Sequence, residues 1–182
     1  MQFEQTVTLK DGRKCLLRSC ETPDAEAVLA CFLKTHAETD FLLSYPDECS
    51  FTPEQEREFL ANKLESACEV EIGAFIDGRL TGTAGLESVG KAEKIRHRAT
   101  FGISVEREFW GLGIGRALTL SCIECARRAG YAQLELDVVA ENSAALALYE
   151  SVGFREFGRN PCGCRSRVSG WQTLVLMRLG LE

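Results

Sequence analysis

Histidine is nearly absent from this chain. Its 182 residues hold only His36 and His97. One falls at a predicted helix end and the other at a strand start. They read as surface or capping residues rather than a catalytic pair. Long apolar runs are missing too: no stretch approaches the roughly 18 residues needed to cross a bilayer. The opening Met1-Gln2-Phe3-Glu4-Gln5 is too polar and acidic for a secretion signal. A cytoplasmic protein that does not associate with membrane is therefore expected. Basic runs are lacking as well. Lys91, Lys94, Arg96 and Arg98 are merely scattered and the net charge is −6, so nucleic acid is not an expected partner.

Cysteine, in contrast, is plentiful. Nine are present, an odd number, and Cys31, Cys122 and Cys125 sit in apolar or helical contexts. In a reducing compartment they read as small buried hydrophobes rather than disulfides. Cys162-Gly163-Cys164 is a C-x-C pair in a segment without period. A zinc site wants four ligands and no second pair has suitable spacing, so no metal is expected. Apolar content of 45% and charged content of 26% are ordinary for one globular domain with a full core.

Hydrophobic periodicity divides the chain. Residues 3–9 and 13–18 read as strands joined at Asp11-Gly12, a hairpin signal. Thr22-Pro23-Asp24 opens a helix over 23–38, and residues 40–51 read as a loop. Thr52-Pro53-Glu54-Gln55 carries a capping box for a second helix to about residue 66. Strands are expected at 69–76, 79–87 and 97–105, with a charged loop at 88–95. A helix from 114 ends at Gly130, and a strand follows at 132–139. The rest reads as a helix at 142–152 and strands at 154–158 and 171–179. Residues 159–170, rich in Gly, Cys, Arg and Ser, show no period. A single mixed α/β domain over residues 1–182 accounts for this order.

Two segments carry chemistry. The first is the turn Trp110-Gly111-Leu112-Gly113-Ile114-Gly115-Arg116, between a strand and a helix. Alternate glycines permit positive φ and let an anion approach bare N–H groups. The following helix adds unpaired amides and the positive end of its dipole. Together these suit a pyrophosphate, with Arg116 able to add a charge-assisted contact. No Gly-Lys-Ser/Thr follows, and the G-x-G-x-x-G spacing fails, so neither a Walker loop nor a dinucleotide fingerprint is present. The second segment is Asn142-Ser143-Ala144-Ala145-Leu146-Ala147-Leu148-Tyr149, closing at Gly153-Phe154. Alone it reads as an N-capped helix with a core tyrosine.

Taken in order, the two segments resemble the GNAT superfamily of acyl-CoA-dependent N-acetyltransferases. That family carries Gln/Arg-x-x-Gly-x-Gly/Ala, then an Asn–Ala–Leu-Tyr–Gly-Phe pattern matched by Asn142, Ala145, Leu148, Tyr149, Gly153 and Phe154. Trp110 departs from the pattern, standing where the family has Gln or Arg. The resemblance implies an α/β (α+β) domain with a mixed central sheet of about seven strands and about four helices. It implies acetyl-CoA as co-substrate, with no metal. Ile103, Ser104 and Val105 would hold the pantetheine arm. Gly111, Leu112, Gly113, Ile114, Gly115 and Arg116 would hold the pyrophosphate, and Asn142 the pantetheine or acetyl region. Tyr149 would protonate the departing thiolate.

The base that frees the attacking amine is less evident. Glu135 and Asp137 share one parity of their strand, and Glu87 ends another. Asp137 leads, because some members that acetylate protein N-termini carry a glutamate at that position. The histone-acetylating branch places its base on the strand before the turn, where this chain has Ala99 or Thr100. Phe41-Leu42-Leu43 and Tyr45 lie in the loop that shapes the acceptor pocket in the family, and Arg165 and Arg167 are candidates for its entrance. The expected acceptor is a small-molecule amine or a peptide N-terminus. The alternative is a non-catalytic acyl-CoA sensor of the same fold. A homodimer is common in the family.

Overall fold

The computed structural model describes residues 1–181. Eight strands form one sheet in the order β1-β2-β3-β4-β5-β6-β8-β7, one more than the resemblance implied. The strands are β1 (Glu4–Thr8), β2 (Lys14–Ser19), β3 (Val70–Ile76), β4 (Arg79–Ser88), β5 (Arg98–Val105), β6 (Gln133–Val139), β7 (Arg155–Ser166) and β8 (Gly170–Gly180). The helices are α1 (Ala25–Glu38), α2 (Pro53–Glu65), α3 (Ile114–Arg128) and α4 (Ser143–Ser151). Every neighbouring pair is antiparallel except β5 and β6, which run parallel.

The expected elements form for the expected reasons. At α2, Thr52 accepts from the Gln55 amide at 3.3 Å and Gln55 accepts from the Thr52 amide at 2.8 Å. The helical run begins one residue earlier than the sequence suggests, with a 3-10 turn over Thr22–Asp24 leading into α1. Glu21 takes the cap position, its amide donating to Asp24 at 2.8 Å. The largest difference lies in residues 159–170. They are not an aperiodic loop; β7 continues to Ser166 and forms a long hairpin with β8. Register shifts at Glu156/Gly158 and Asn160/Cys164 break the alternation along β7, and most of its residues are exposed. The period-2 signal is therefore erased although the ladder persists.

Alternation sorts the sheet into two faces. Ala99, Phe101, Leu134, Leu136, Val138, Val175 and Met177 join Leu118, Cys122 and Tyr149 of α3 and α4 in the main core. The opposite face holds a smaller cluster under α1 and α2, with Cys20, Val28, Cys31, Leu60 and Phe75. Beyond it the face is open: Thr100, Gly102 and Asp137 are exposed. All nine cysteines are free thiols, and burial pushes the Cys31 thiol up to about 12, so it stays protonated.

Candidate active site

The parallel pairing of β5 with β6 covers only Arg98–Thr100 against Gln133–Glu135. Beyond it the two strands diverge, and the ladders on either side show which backbone groups line the gap. Glu106 donates its N–H to the opposing Thr81 carbonyl at 2.9 Å. The hydrogen-bonded pairs of the β4–β5 ladder therefore fall at Ser104, Gly102 and Thr100, so Ile103 and Val105 turn their backbone groups toward β6. Across the gap, Ala140 donates to Thr173 at 2.9 Å, so Val139 and Asp137 turn theirs toward β5. A sheet interior with unsatisfied amides and carbonyls is costly unless a ligand or water pairs them. The split thus offers a strand-like slot for an extended amide-bearing chain.

The slot opens into a cleft of 470 Å³. Of the residues expected to bind cofactor, Ile103, Ser104, Val105, Gly111, Gly113, Ile114, Gly115, Arg116, Asn142 and Tyr149 line it. Leu112 does not; its side chain packs on the main core and its carbonyl accepts from the Lys10 amide at 3.1 Å. Ser104 lines the cleft through its side-chain end, since its backbone faces β4. Val105 offers only its N–H, because its carbonyl accepts from the Trp110 indole at 2.7 Å. Trp110 is thus turned onto β5, with the Arg107 guanidinium 5.5 Å from its ring, and lines the cleft beside Gly111.

The glycine turn is a cradle of free donors. Gly111 and Gly113 hold φ of +79° and +99°, and a Cβ at either would meet nothing within 4 Å. The space beside them is vacant and their backbone is left-handed, which together explain glycine there. Among the described residues, the amides of Gly111 through Arg116 make no backbone hydrogen bond. Six donors at the positive end of α3 fit a pyrophosphate. Arg116 is held by Ser151 at 2.7 Å, bridging α3 to α4 at the cleft's rim.

Asn142 caps α4, accepting from the Ala145 amide at 3.2 Å, which leaves its side-chain nitrogen as a donor to the cleft. Two turns later Tyr149 packs edge-on against Phe101, ring centroids 6.1 Å apart, and against Phe154 at 5.8 Å. Burial alone pushes its phenol well above the usual range. The hydroxyl therefore remains protonated at neutral pH, as a proton donor must.

The three acids weighed as base separate clearly. Glu87 is bound by Lys63 at 3.0 Å. Glu135 is chelated by Arg98, whose guanidinium holds its carboxyl below the usual range, with Gln133 adding a bond at 2.8 Å. Asp137 has no cation; partial burial and then Glu135 push its carboxyl up. It lies outside the cleft lining, exposed on the open face of β6. Sequence reasoning passed over Glu71 on β3. Its Oε2 lies 2.6 Å from where a Cβ on Gly85 would stand, so the carboxyl reaches across β4 over a glycine floor. Burial pushes it up to about 7, and Glu56 on α2 adds to the rise. Glu56 is itself buried with one oxygen unpartnered. Nothing in a strand reading Val-Glu-Ile-Gly could reveal this, because the shift comes from α2 and β4.

The loop expected to shape an acceptor pocket is pinned to the β7–β8 hairpin. Asp40 accepts from Ser166 at 2.7 Å, Ser169 at 2.8 Å and Gln172 at 3.3 Å. The Arg167 amide donates to the Tyr45 hydroxyl at 2.6 Å and its guanidinium binds Asp47 at 2.8 Å. Phe41 and Leu42 reach the cleft; Leu43 is exposed. Cys162 is exposed on β7, and Cys164 bonds Gln172 at 3.3 Å. No cluster able to hold a metal ion occurs among the described residues. His36 stacks on Phe32 and His97 lies at the start of β5, neither in the cleft.

A split parallel pair, a glycine cradle and a tyrosine on the next helix define a class of acyl-CoA-handling folds, and comparison with known proteins agrees. The profile of the Acetyltransferase (GNAT) family matches residues 32–154, and the chain belongs to that family. Members of that family use acetyl-CoA as co-substrate. Among curated relatives is the [ribosomal protein bS18]-alanine N-acetyltransferase of Escherichia coli K12, 33% identical over 105 residues, 57% of this chain and 66% of that protein. Another is the N-alpha-acetyltransferase RimI of Mycobacterium tuberculosis, 39% identical over 87 residues, 48% of this chain and 52% of that one. The matches thus span between half and two thirds of those relatives. An acetyltransferase of the GNAT family from Streptococcus pneumoniae superposes with a TM-score of 0.87 at 27% identity, covering 91% of this chain and 99% of that one.

Proposed function

We propose that the protein is an N-acetyltransferase that moves the acetyl group of acetyl-CoA onto the amine of a small molecule or a peptide N-terminus. The acceptor attacks directly, with no acyl-enzyme. The observation that carries this reading is the split between β5 and β6, which opens beside the Tyr149 hydroxyl and the six free amides of the glycine turn. When bound, acetyl-CoA supplies an activated acyl thioester. The cradle amides and Arg116 hold its pyrophosphate, Ile103 pairs with its pantetheine amides, and the Val105 N–H polarises the thioester carbonyl. As the amine nitrogen forms the new C–N bond and the C–S bond breaks, Tyr149 donates to the departing sulfur. Asp137 takes the ammonium proton, alone or through water; it is the one sequence-selected acid without a cation. Glu71, whose carboxyl burial pushes up to about 7, is not among the residues lining the cleft, so its raised value alone does not make it a candidate. A peptide N-terminus is the favoured acceptor class, since the enterobacterial and mycobacterial relatives are named for such substrates.

The reading is tested in two stages. Acetyl-CoA at about a hundredfold over its dissociation constant should stabilise the protein by about 2.7 kcal/mol and raise Tm by roughly 5–10 °C. No shift and no calorimetric heat would remove the cofactor. CoA release is then measured against peptide N-termini, polyamines, aminoglycosides and amino acids. Binding without release for any of them would favour an acyl-CoA sensor instead.

A further inference from the structure

We propose that Lys10, on the β1–β2 hairpin, is a phosphate ligand for CoA, completing the anion site of the glycine turn. The inference rests on acetyl-CoA being the co-substrate. The hairpin is clipped to the glycine turn: the Lys10 amide donates to the Leu112 carbonyl at 3.1 Å, in the middle of the cradle. The hairpin is itself closed by the Leu9 amide on Arg13 at 2.8 Å and the Gly12 amide on Leu9 at 3.0 Å. Lys10 is thereby fixed at the rim and lines the same cleft as Gly111, Gly113 and Arg116.

Its charge is uncommitted. Asp11, the adjacent acid, is engaged by Arg13 at 2.7 Å, and Lys14 donates to Thr8 at 2.6 Å. Glu106 and Glu108, below the turn, are held by Lys34 and Arg79. Among the described residues no carboxylate lies within ion-pair distance of Lys10. An exposed ammonium at a cleft rim, with nearby acids already neutralised, is placed to receive an anion. The need is also evident. CoA carries several negative charges, and the protein's own net charge is −6, so the long-range field opposes binding and local cations must overcome it. Lys10 and Arg116 both line the cleft beside the cradle and supply them.

The test is calorimetric titration of the full chain and its Lys10→Met variant with CoA, 3′-dephospho-CoA and pantetheine. Lys10→Met should bind CoA about tenfold more weakly, the size of one charge-assisted contact, with a shallower salt dependence. Pantetheine, which lacks phosphate, should bind both proteins equally, and Lys10→Arg should retain most of the CoA affinity. An equal loss for CoA and dephospho-CoA assigns the contact to the pyrophosphate, and a loss confined to CoA assigns it to the 3′-phosphate. CoA affinity within twofold of the native value would overturn the proposal, as would an equal loss for pantetheine. If the native chain fails to bind CoA at all, the co-substrate assignment fails first, which is a separate result.

Discussion

Tyr149, the proposed proton donor, sits in apolar surroundings. Phe101 and Phe154 hold the ring, and burial keeps the phenol protonated through neutral pH. Tyr149→Phe keeps the ring packing and removes only the donor. Turnover should fall by 10²–10³-fold, a usual range for loss of one acid–base group. CoA affinity should stay within about twofold by calorimetry. A variant that turns over at the native rate would show that solvent protonates the thiolate. Residue identity was readable here, since Asn142 and Tyr149 stand in a recognisable pattern. Lys10 and Glu71 were not, because the setting of each comes from neighbours distant in sequence: Leu112 for one, Gly85 and Glu56 for the other.

Between elements, the decisive contact is the clasp of the α1–α2 loop on the β7–β8 hairpin. One carboxylate, Asp40, gathers Ser166, Ser169 and Gln172. Its removal leaves three polar groups without their acceptor, at a cost of about 1–3 kcal/mol. None of the hydrogen bonds Asp40 makes in the clasp goes to the glycine turn. Asp40→Ala should therefore raise the acceptor KM about tenfold while leaving the CoA dissociation constant within twofold. Measuring both constants on one preparation checks this, and equal weakening of donor and acceptor would mean that the clasp supports the whole cleft. The hairpin behind this contact escaped sequence reading over residues 159–170. Two register shifts and an exposed strand removed the alternation on which such a reading depends. The helices and their caps were legible, because a capping box is a contact between residues three apart.

At the scale of the whole molecule, net stability should vary with pH through Glu71. Its folded carboxyl titrates near 7 against an ordinary value of 4.5. The folded state therefore binds the extra proton between those values. The contribution favours folding below about 4.5 and is lost as pH climbs through about 7. Glu71→Gln mimics the protonated form, so its Tm should exceed the native by about 2–6 °C at pH 8 and match it near pH 4.5. Scanning calorimetry at the two pH values decides the matter; a difference independent of pH would mean that Glu71 ionises normally.

By itself the sequence made the proposed donor half of this protein legible. The glycine spacing, the capped helix after it, the tyrosine and the order of elements are properties of short segments. They rest on φ, on helix termini and on periodicity, all local. Only the tertiary structure decided the rest. The gap between β5 and β6 exists because β5 is committed to β4 and β6 to β8 as the sheet splits. The choice among acids turned on which were already claimed by Lys63 and Arg98. The phosphate-facing lysine arrives on a hairpin about a hundred residues from the turn it serves. Electrostatic partners and desolvation depend on distances through space, and no spacing along a chain encodes those.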